Sequence, residues 1–447
     1  MIKLEYLPLT KVLEKIIDNR GKTVPTVEQG FPLIATNCIK ESSIYPTFEN
    51  VRYVDDYTLK NWFRSHLAPN DILFTNKGTP GRVCLVPDPV SFCVAQDMIG
   101  FRADKEQINY KYLFAVLRTD WVKEKINNYH VGLVIPHFKK SDLDNILIPN
   151  LPLNEQENIG NLYFNLSDKI ELNNQINQEL EAMAKTLYDY WFVQFDFPNN
   201  EGKPYKSSGG KMVYNEELKR EIPEGWEVGT FDDIGTVIGG STPSKAIEKN
   251  FCINDGTPWI TPRDLSSNTG NKFITRGEFD VTEMGIKSGS LKLMPKGTVL
   301  LSSRAPVGYL AISREPVTTN QGFKSFEPNK GYSTFFIYYT VKSMMPAIVN
   351  NAVGSTFKEI SGATLKSIKI PLPPKGIIHL YDEKSESIFK RQDLLELENQ
   401  HLAELRDWLL PMLMNGQVTV KSAEVEEEEL GEALRVVAEG REGYKTV

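Results

Sequence analysis

The side chains that most often carry chemistry are few in this chain, and their spacing suits none of the common catalytic centres. Arg20-Gly21-Lys22-Thr23 contains the Gly-Lys-Thr of a phosphate loop, but Ile16 stands where that loop needs its first glycine. Of five histidines, His130 and His137 share one loop without a cysteine or carboxylate at metal-ligand spacing. Asp382-x-Lys384 has the outline of a nuclease acid–lysine pair but lacks an upstream acidic partner. No Gly-x-Ser-x-Gly, His-Glu-x-x-His or Asx-Pro-Pro-aromatic motif occurs, nor a glycine-rich cofactor loop after a strand-like run. Together these point to a binding protein with no catalytic residue and no metal of its own, rather than to an enzyme acting alone.

The polar loops say more. Thr36-Asn37 and Pro262-Arg263-Asp264 occupy matching turns, as do Thr75-Asn76-Lys77-Gly78 and Ser302-Ser303-Arg304-Ala305. Gln96 matches Gln321, which follows Asn320. Asn, Gln and Arg make bidentate contacts to base edges, while Ser, Thr and Lys suit phosphates. Arg20, Lys22, Arg82, Lys139, Lys140, Lys245 and Lys358 add cations in the same kind of loop. The competing reading is turn chemistry, since Asn, Ser, Thr and Gly also cap strands through local hydrogen bonds. One such residue alone is more often a cap. The set, at corresponding places of two similar segments, favours contact with DNA.

Those segments belong to an internal duplication whose offset stays constant through its C-terminal part. Leu143, Ile146, Ile148 and Pro149 meet Leu365, Ile368, Ile370 and Pro371. At the same shift, Asn177, Gln178, Leu180, Met183 and Leu187 meet Asn399, Gln400, Leu402, Leu405 and Leu409. Between the motifs the loops differ in length and content, as expected of related scaffolds with different binding surfaces. Residues 1–150 form a first globular unit, cut by prolines into strand-like runs at 32–39, 71–76, 82–86, 90–95 and 98–102. One helix is expected over 110–127 and a short strand at 146–149. Residues 213–375 form the second unit, and both read as mixed α+β domains.

After each unit comes a long heptad helix, over 151–197 and 376–420, with a Gly/Ser/Asn/Pro-rich linker at 198–212 between the first helix and the second unit. No Pro or Gly interrupts 161–197, and roughly 37 helical residues would span about 55 Å. Such a helix needs a partner of similar length. The expected seam is Leu166, Ile170, Ile176, Leu180, Met183 and Leu187 against Leu395, Leu402, Leu405 and Leu409, with Gly416 capping the second helix. The tail, 421–447, is acidic and reads as a solvated helix or disorder.

The net charge of −7 argues at first against a nucleic-acid partner. Its distribution does not. The two globular segments, 1–150 and 201–375, carry +2 and +5, whereas 151–200, 376–420 and the tail carry −6, −4 and −4. A phosphate-binding surface on the globular parts is therefore allowed. No apolar run approaches membrane length, the N-terminus lacks the plan of a signal peptide, and Cys38, Cys84, Cys93 and Cys252 are scattered. A reduced, cytoplasmic protein is the expectation.

The order of segments, with LPLNEQENIG and DYWFVQFDF around the first helix, GGSTP in the second unit, and IPLPP and LLPMLMNGQV around the second helix, resembles the specificity subunits of type I restriction–modification systems. The resemblance covers residues up to about 420. It implies two target recognition domains that each read one half of a split double-stranded DNA site. It implies two long helices that pair antiparallel as a coiled coil with pseudo-two-fold symmetry and set the unread gap. It implies that these helices dock two modification (methyltransferase) subunits and that two restriction subunits complete the complex. The subunit itself would bind no cofactor, S-adenosylmethionine, ATP and Mg being carried by its partners. A structural scaffold that reads no sequence is the alternative. It accounts for the acidic helices but not for duplicated domains with different polar loops.

Overall fold

The computed structural model describes residues 4–19, 23–94, 96–129, 136–304, 306–354 and 358–420. Arg20 and Lys22 lie outside them, as do His130 and the acidic tail. The chain forms two compact units, one from residues up to Glu171 and from Gln400 onward, the other from Leu172 to Asn399. Each contains one globular domain and one half of each long helix.

In the first unit, a four-stranded sheet orders Leu13–Asp18, Met98–Ala103, Ile72–Thr75 and Val83–Leu85, all neighbours antiparallel. A three-stranded sheet places Phe31–Ile34 between Arg52–Val54 and a parallel neighbour, Cys93–Val94. The second unit repeats this plan. Thr236–Gly239, Lys324–Glu327, Val299–Ser303 and Val307–Ser313 form the corresponding sheet, extended by a parallel edge strand, Phe273–Ile274. Thr257–Ile260 again has a parallel neighbour, Thr318–Thr319. Each domain is closed by a two-stranded strap, with Glu5 opposite Asn150 and Glu227 opposite Leu372. Both members of that pair are displaced by the shift that carries Leu143 to Leu365, so the duplication extends to register.

The expected helix at 110–127 is two helices, Tyr110–Leu117 and Asp120–Tyr129. Arg118 interrupts them, its guanidinium donating to the carbonyls of Lys40 and Val83, both at 3.2 Å. A cation spent on backbone carbonyls pins the loop at 40–43 to the start of the strand Val83–Leu85.

The first long helix runs Leu153–Tyr188 and ends in a π-helical turn, Asp189–Val193. The second runs Lys375–Met414, well beyond its periodic stretch, with Pro411 inside. Gly416 takes the left-handed conformation, φ 73°, while Gln417 N–H donates to Met412 O at 2.9 Å, closing that end as expected. Within each unit the helices run antiparallel. In the first, Arg406 lies over the Tyr163 ring, and Leu410, Leu413 and Met414 share a core with Ile159, Tyr163 and Phe164. In the second, Tyr188 meets Tyr381 while Asn173 meets Asn399.

The seam differs from the apolar stripe expected of it. Leu395 is fully buried, but Met183 and Leu405 are 56% and 43% exposed. Leu166, Ile170, Ile176, Leu180, Leu187, Leu402 and Leu409 are half-buried. Beside the buried Leu395, Ala184 and Phe389, several positions turned inward in the second unit are polar. Asn173 Nδ2 donates to Glu398 Oε2 and Asn399 Oδ1, both at 2.9 Å, and Asn399 Nδ2 donates to Asn174 Oδ1 at 2.8 Å. A heptad of small and polar residues runs one position beside the apolar one, and the globular domains pack on the helices as well. The most apolar stripe therefore is not the most buried. Buried amides of this kind contribute less to stability than leucines but fix register, because a slip would leave them unpaired.

Candidate nucleic-acid interface

In the second domain the polar loops gather where several strands end. Ser302 lies at the end of the strand Val299–Ser303 with its side chain turned inward. Its hydroxyl donates to Pro306 O at 2.8 Å and accepts from the N–H groups of Gly308 at 3.1 Å and Tyr309 at 2.8 Å. Ser303 is also fully buried, its backbone bridging two neighbours: its N–H donates to Gly322 O at 2.7 Å and its carbonyl accepts from Ile360 N–H at 3.0 Å. Ser302 and Ser303 are thus corrected from DNA contacts to the frame of the loop. Arg304 comes next, with a third of its side chain exposed and Glu359 at 3.8 Å.

The first domain builds the same device from different residues. Thr75 closes its loop, accepting from Arg82 N–H at 3.0 Å and donating to Thr79 O. Asn76 N–H donates to Asp97 O at 3.1 Å, and Asn76 O accepts from Phe138 N–H at 2.8 Å. Asn76 is 2% exposed, so it too is corrected from a base reader to a buried bridge. Its Oδ1 has no partner among the described residues. Lys77 stands where Arg304 does, half-exposed, 3.6 Å from Asp97. Buried bridges therefore hold each loop, and one cation is displayed just past them, arginine in one domain and lysine in the other.

Around Arg304, Asn320 Oδ1 accepts from Gly322 N–H at 2.9 Å and Gln321 is exposed, its Oε1 accepting from the Thr242 hydroxyl. The GGSTP segment reaches this turn because Ser241 N–H donates to Thr319 O at 2.9 Å. Gly240 is required there, since a Cβ would lie 2.0 Å from Asn320 O. Arg263 lies in the first turn of the helix Pro262–Ser267, 80% exposed and 3.2 Å from Glu278. Lys245 and Lys358 are exposed. Lys324, which motif reading missed, has its amine 3.8 Å from where a Gly239 Cβ would lie and donates to Phe323 O at 3.3 Å. Thr242 was missed as a residue, although the GGSTP motif contains it.

Around Lys77, Thr36 is half-buried, its hydroxyl 4.0 Å from where a Gly78 Cβ would lie, and Asn37 is exposed with Nδ2 donating to Glu49 O at 2.5 Å. Gln96 is half-buried, Lys139 is exposed, and Lys140 lies 3.7 Å from Asp18. Arg82 leaves the group. It lines a cavity of about 600 Å³ with Arg118, Lys123, Tyr163 and Arg406, on the side of the domain that meets the long helices. The surface that remains offers amide, hydroxyl, guanidinium and ammonium donors on strand-end loops. It is equipped to hydrogen-bond an anionic polymer. Among the described residues no cluster of His, Cys, Asp and Glu could hold a metal ion, and no helix is long and apolar enough to cross a membrane.

Comparison with known proteins agrees with this architecture. A family model described as the type I restriction modification DNA specificity domain matches twice, over residues 21–182 and 223–407. The MjaIX specificity subunit, a type I restriction enzyme component of Methanocaldococcus jannaschii, is 41% identical over 185 residues, which is 39% of this chain and 42% of that relative. The match thus spans less than half of that relative. The HindI specificity subunit of Haemophilus influenzae is 30% identical over 321 residues, 60% of this chain and 68% of its own. Among solved structures, the type I restriction–modification S subunit of M. genitalium aligns over 92% of this chain and 97% of its own, with TM-score 0.53 and 15% identity, a likeness of fold.

Proposed function

The chain belongs to the family of type I restriction–modification DNA specificity subunits, and we propose that each of its two domains reads one half of a split duplex target. The observation that carries this is the matched pair of loops at Asn76-Lys77 and Ser303-Arg304. Their buried bridges are alike, while the displayed side chains differ. A common scaffold with unlike tips gives two readers of unlike sequence, with Lys77 and Arg304 on phosphate or guanine and Gln96, Gln321, Asn37 and Arg263 on base edges.

The long helices serve as spacer and as docking surface. Leu172 and Leu394 correspond in the duplication and are 51% and 59% exposed, and the corresponding pair Met183 and Leu405 is exposed as well. Apolar residues left open at duplicated positions suit two copies of one partner on equivalent faces. We read that partner as the modification subunit, with restriction subunits added to the complex. Adenine methylation and cleavage, with S-adenosylmethionine, ATP and Mg, then belong to the partners, and the assembly works in the cytoplasm.

The test is a salt titration of the assembled specificity–modification complex on duplexes carrying selected and scrambled half-sites. Specific binding should weaken linearly in log–log form, by about 0.9 per phosphate contact, with an added preference for the split site at every salt concentration. A complex that binds all duplexes alike would favour the scaffold reading, which the acidic balance of the helices otherwise supports.

A further inference from the structure

Lys272, just before the edge strand Phe273–Ile274, is 4% exposed, and its three ammonium protons all have acceptors. Nζ lies 2.7 Å from Glu181 Oε2, donates to Gln392 Oε1 at 2.7 Å, and reaches Tyr339 Oη at 3.0 Å. The backbone N–H groups of Lys272 and Phe273 donate to the two oxygens of Glu396, at 2.7 and 3.1 Å. Arg314, just past the end of the neighbouring strand, adds a contact of 2.8 Å to Glu396 and pairs with Asp393. Lys342 meets the other oxygen of Glu181 at 2.6 Å. Glu181 on the first long helix and Asp393 and Glu396 on the second are thus gripped by this domain.

Burial draws the Lys272 amine down to about 8, against the pull of Glu181. Burial also pushes Glu181 up, but Lys272 and Lys342 outweigh it and hold that carboxyl at about 2. Both groups are charged at neutral pH. Among the described residues of the first domain no buried lysine is held between carboxylates of the two helices. At the corresponding positions of the duplication, Glu181, Gln392 and Glu396 are replaced by Ala403, Ile170 and Asn174. That domain meets the helices through the apolar cluster of Tyr163, Phe164, Leu410 and Leu413 and through amide contacts, with Asn109 N–H donating to Gln156 Oε1 at 2.9 Å and Lys111 Nζ to Asn161 Oδ1 at 2.7 Å. The segment that Lys272 anchors also leads to the reading surface. The helix Pro262–Ser267, which carries Arg263 in its first turn, runs into Asn268, whose Nδ2 donates to Phe273 O at 2.9 Å.

We infer that Lys272, Glu181 and Glu396 form a positioning latch that fixes how the second domain is seated on its stretch of the long helices, and thereby which gap between half-sites the complex accepts. A buried ion pair adds little net stability over an apolar contact, but it penalises every geometry that separates its charges. The seat of the first domain relies on apolar packing and neutral amide acceptors, which leave no unpaired buried carboxylate when they separate. The inference rests on the split-site reading above.

The experiment compares the assembled complex carrying wild type, Glu181→Asp, Glu181→Gln or Lys272→Met on duplexes whose half-sites are held constant while the gap varies by single base pairs. Glu181→Gln and Lys272→Met should reduce the penalty for a gap wrong by one base pair at least tenfold, with both half-site preferences kept. Glu181→Asp, which keeps the charge, should recover most of it. An unchanged gap penalty in Glu181→Gln and Lys272→Met would overturn the latch. If wild type shows no split-site preference, the functional reading fails, and amide hydrogen exchange decides the latch separately. Lys272 and Phe273 should then exchange at least tenfold faster in Glu181→Gln while the strand Val299–Ser303 keeps its protection. Equal rates at Lys272 and Phe273 would overturn it.

Discussion

Arg304 and Lys77 are the side chains on which the functional reading rests most directly. Each follows a buried bridge that holds its loop, and each is partly exposed beside one carboxylate. Truncating either should leave thermal stability within about 0.5 kcal/mol, because exposed pairs contribute little. If the side chain sits on phosphate, the truncation should flatten the salt dependence of binding by about one unit of log–log slope. Salt titrations of Arg304→Ala and Lys77→Ala check this, and an unaltered slope together with unaltered site preference would remove both from the interface. Glu181 titrates where few other groups do. Below about pH 2 it is protonated folded or unfolded, and above its ordinary 4.5 it is ionised in both, so its contribution is full above 4.5 and is lost as pH falls from 4.5 towards 2. About 3 kcal/mol is at stake. Lys272, Lys342 and Tyr339 face it directly, with Gln392 beside them. Glu396, raised by burial, titrates in the opposite sense, so the Glu181 contribution is read as the difference between wild-type and Glu181→Gln melting curves over that range. Chemistry-bearing side chains were legible from the sequence as a set but not one by one. Asn76, Ser302 and Ser303 have the right types for base or phosphate contact, yet all three are buried: the Ser302 hydroxyl bonds the backbone of its own loop, while Asn76 and Ser303 are held inward by their backbone N–H and carbonyl groups. Lys272 and Glu181 left no motif, because they lie far apart in the chain and meet only on folding.

The long helices were the most legible elements, and their faces the least. Period marked both and the absence of breakers marked the first, while the second runs from Lys375 through Pro411. The apolar stripe was assigned to the seam because leucine at heptad spacing usually is. Here Asn173, Asn399, Gln392 and Glu181 occupy the interface, and Met183 and Leu405 stay open. Whether a helix has one partner surface or several cannot be read from its own periodicity. The strap pairings at Glu5–Asn150 and Glu227–Leu372 were invisible for a related reason, since pairing across an entire domain leaves no local signal. A spacer role makes a quantitative expectation at this scale. Matched seven-residue insertions after Asn177 and at the opposing position of the second helix would lengthen the pair by about 10 Å. The preferred gap should then grow by roughly three base pairs, at about 3.4 Å each, with half-sites unchanged. Binding of the variant complex to a gap series measures it, and altered half-sites with an unaltered gap would end the spacer idea.

Across the whole molecule, the duplication links sequence, strap register and loop construction, the strap and the C-terminal part sharing one offset. It was readable at the outset because frame residues, unlike loop tips, kept their spacing. Charge follows the same division, positive on the two domains and negative on the helices, as the proposed split between DNA reading and protein docking requires. The most direct measurement is a selection from random duplex DNA with the specificity chain assembled on its modification partner. The account predicts recovered sequences with two short, different conserved blocks at one unvarying separation, and exchange of the loops around Asn76-Lys77 and Gln96 should alter one block only. Recovery of a single continuous block, or of no enriched sequence at all, would contradict it.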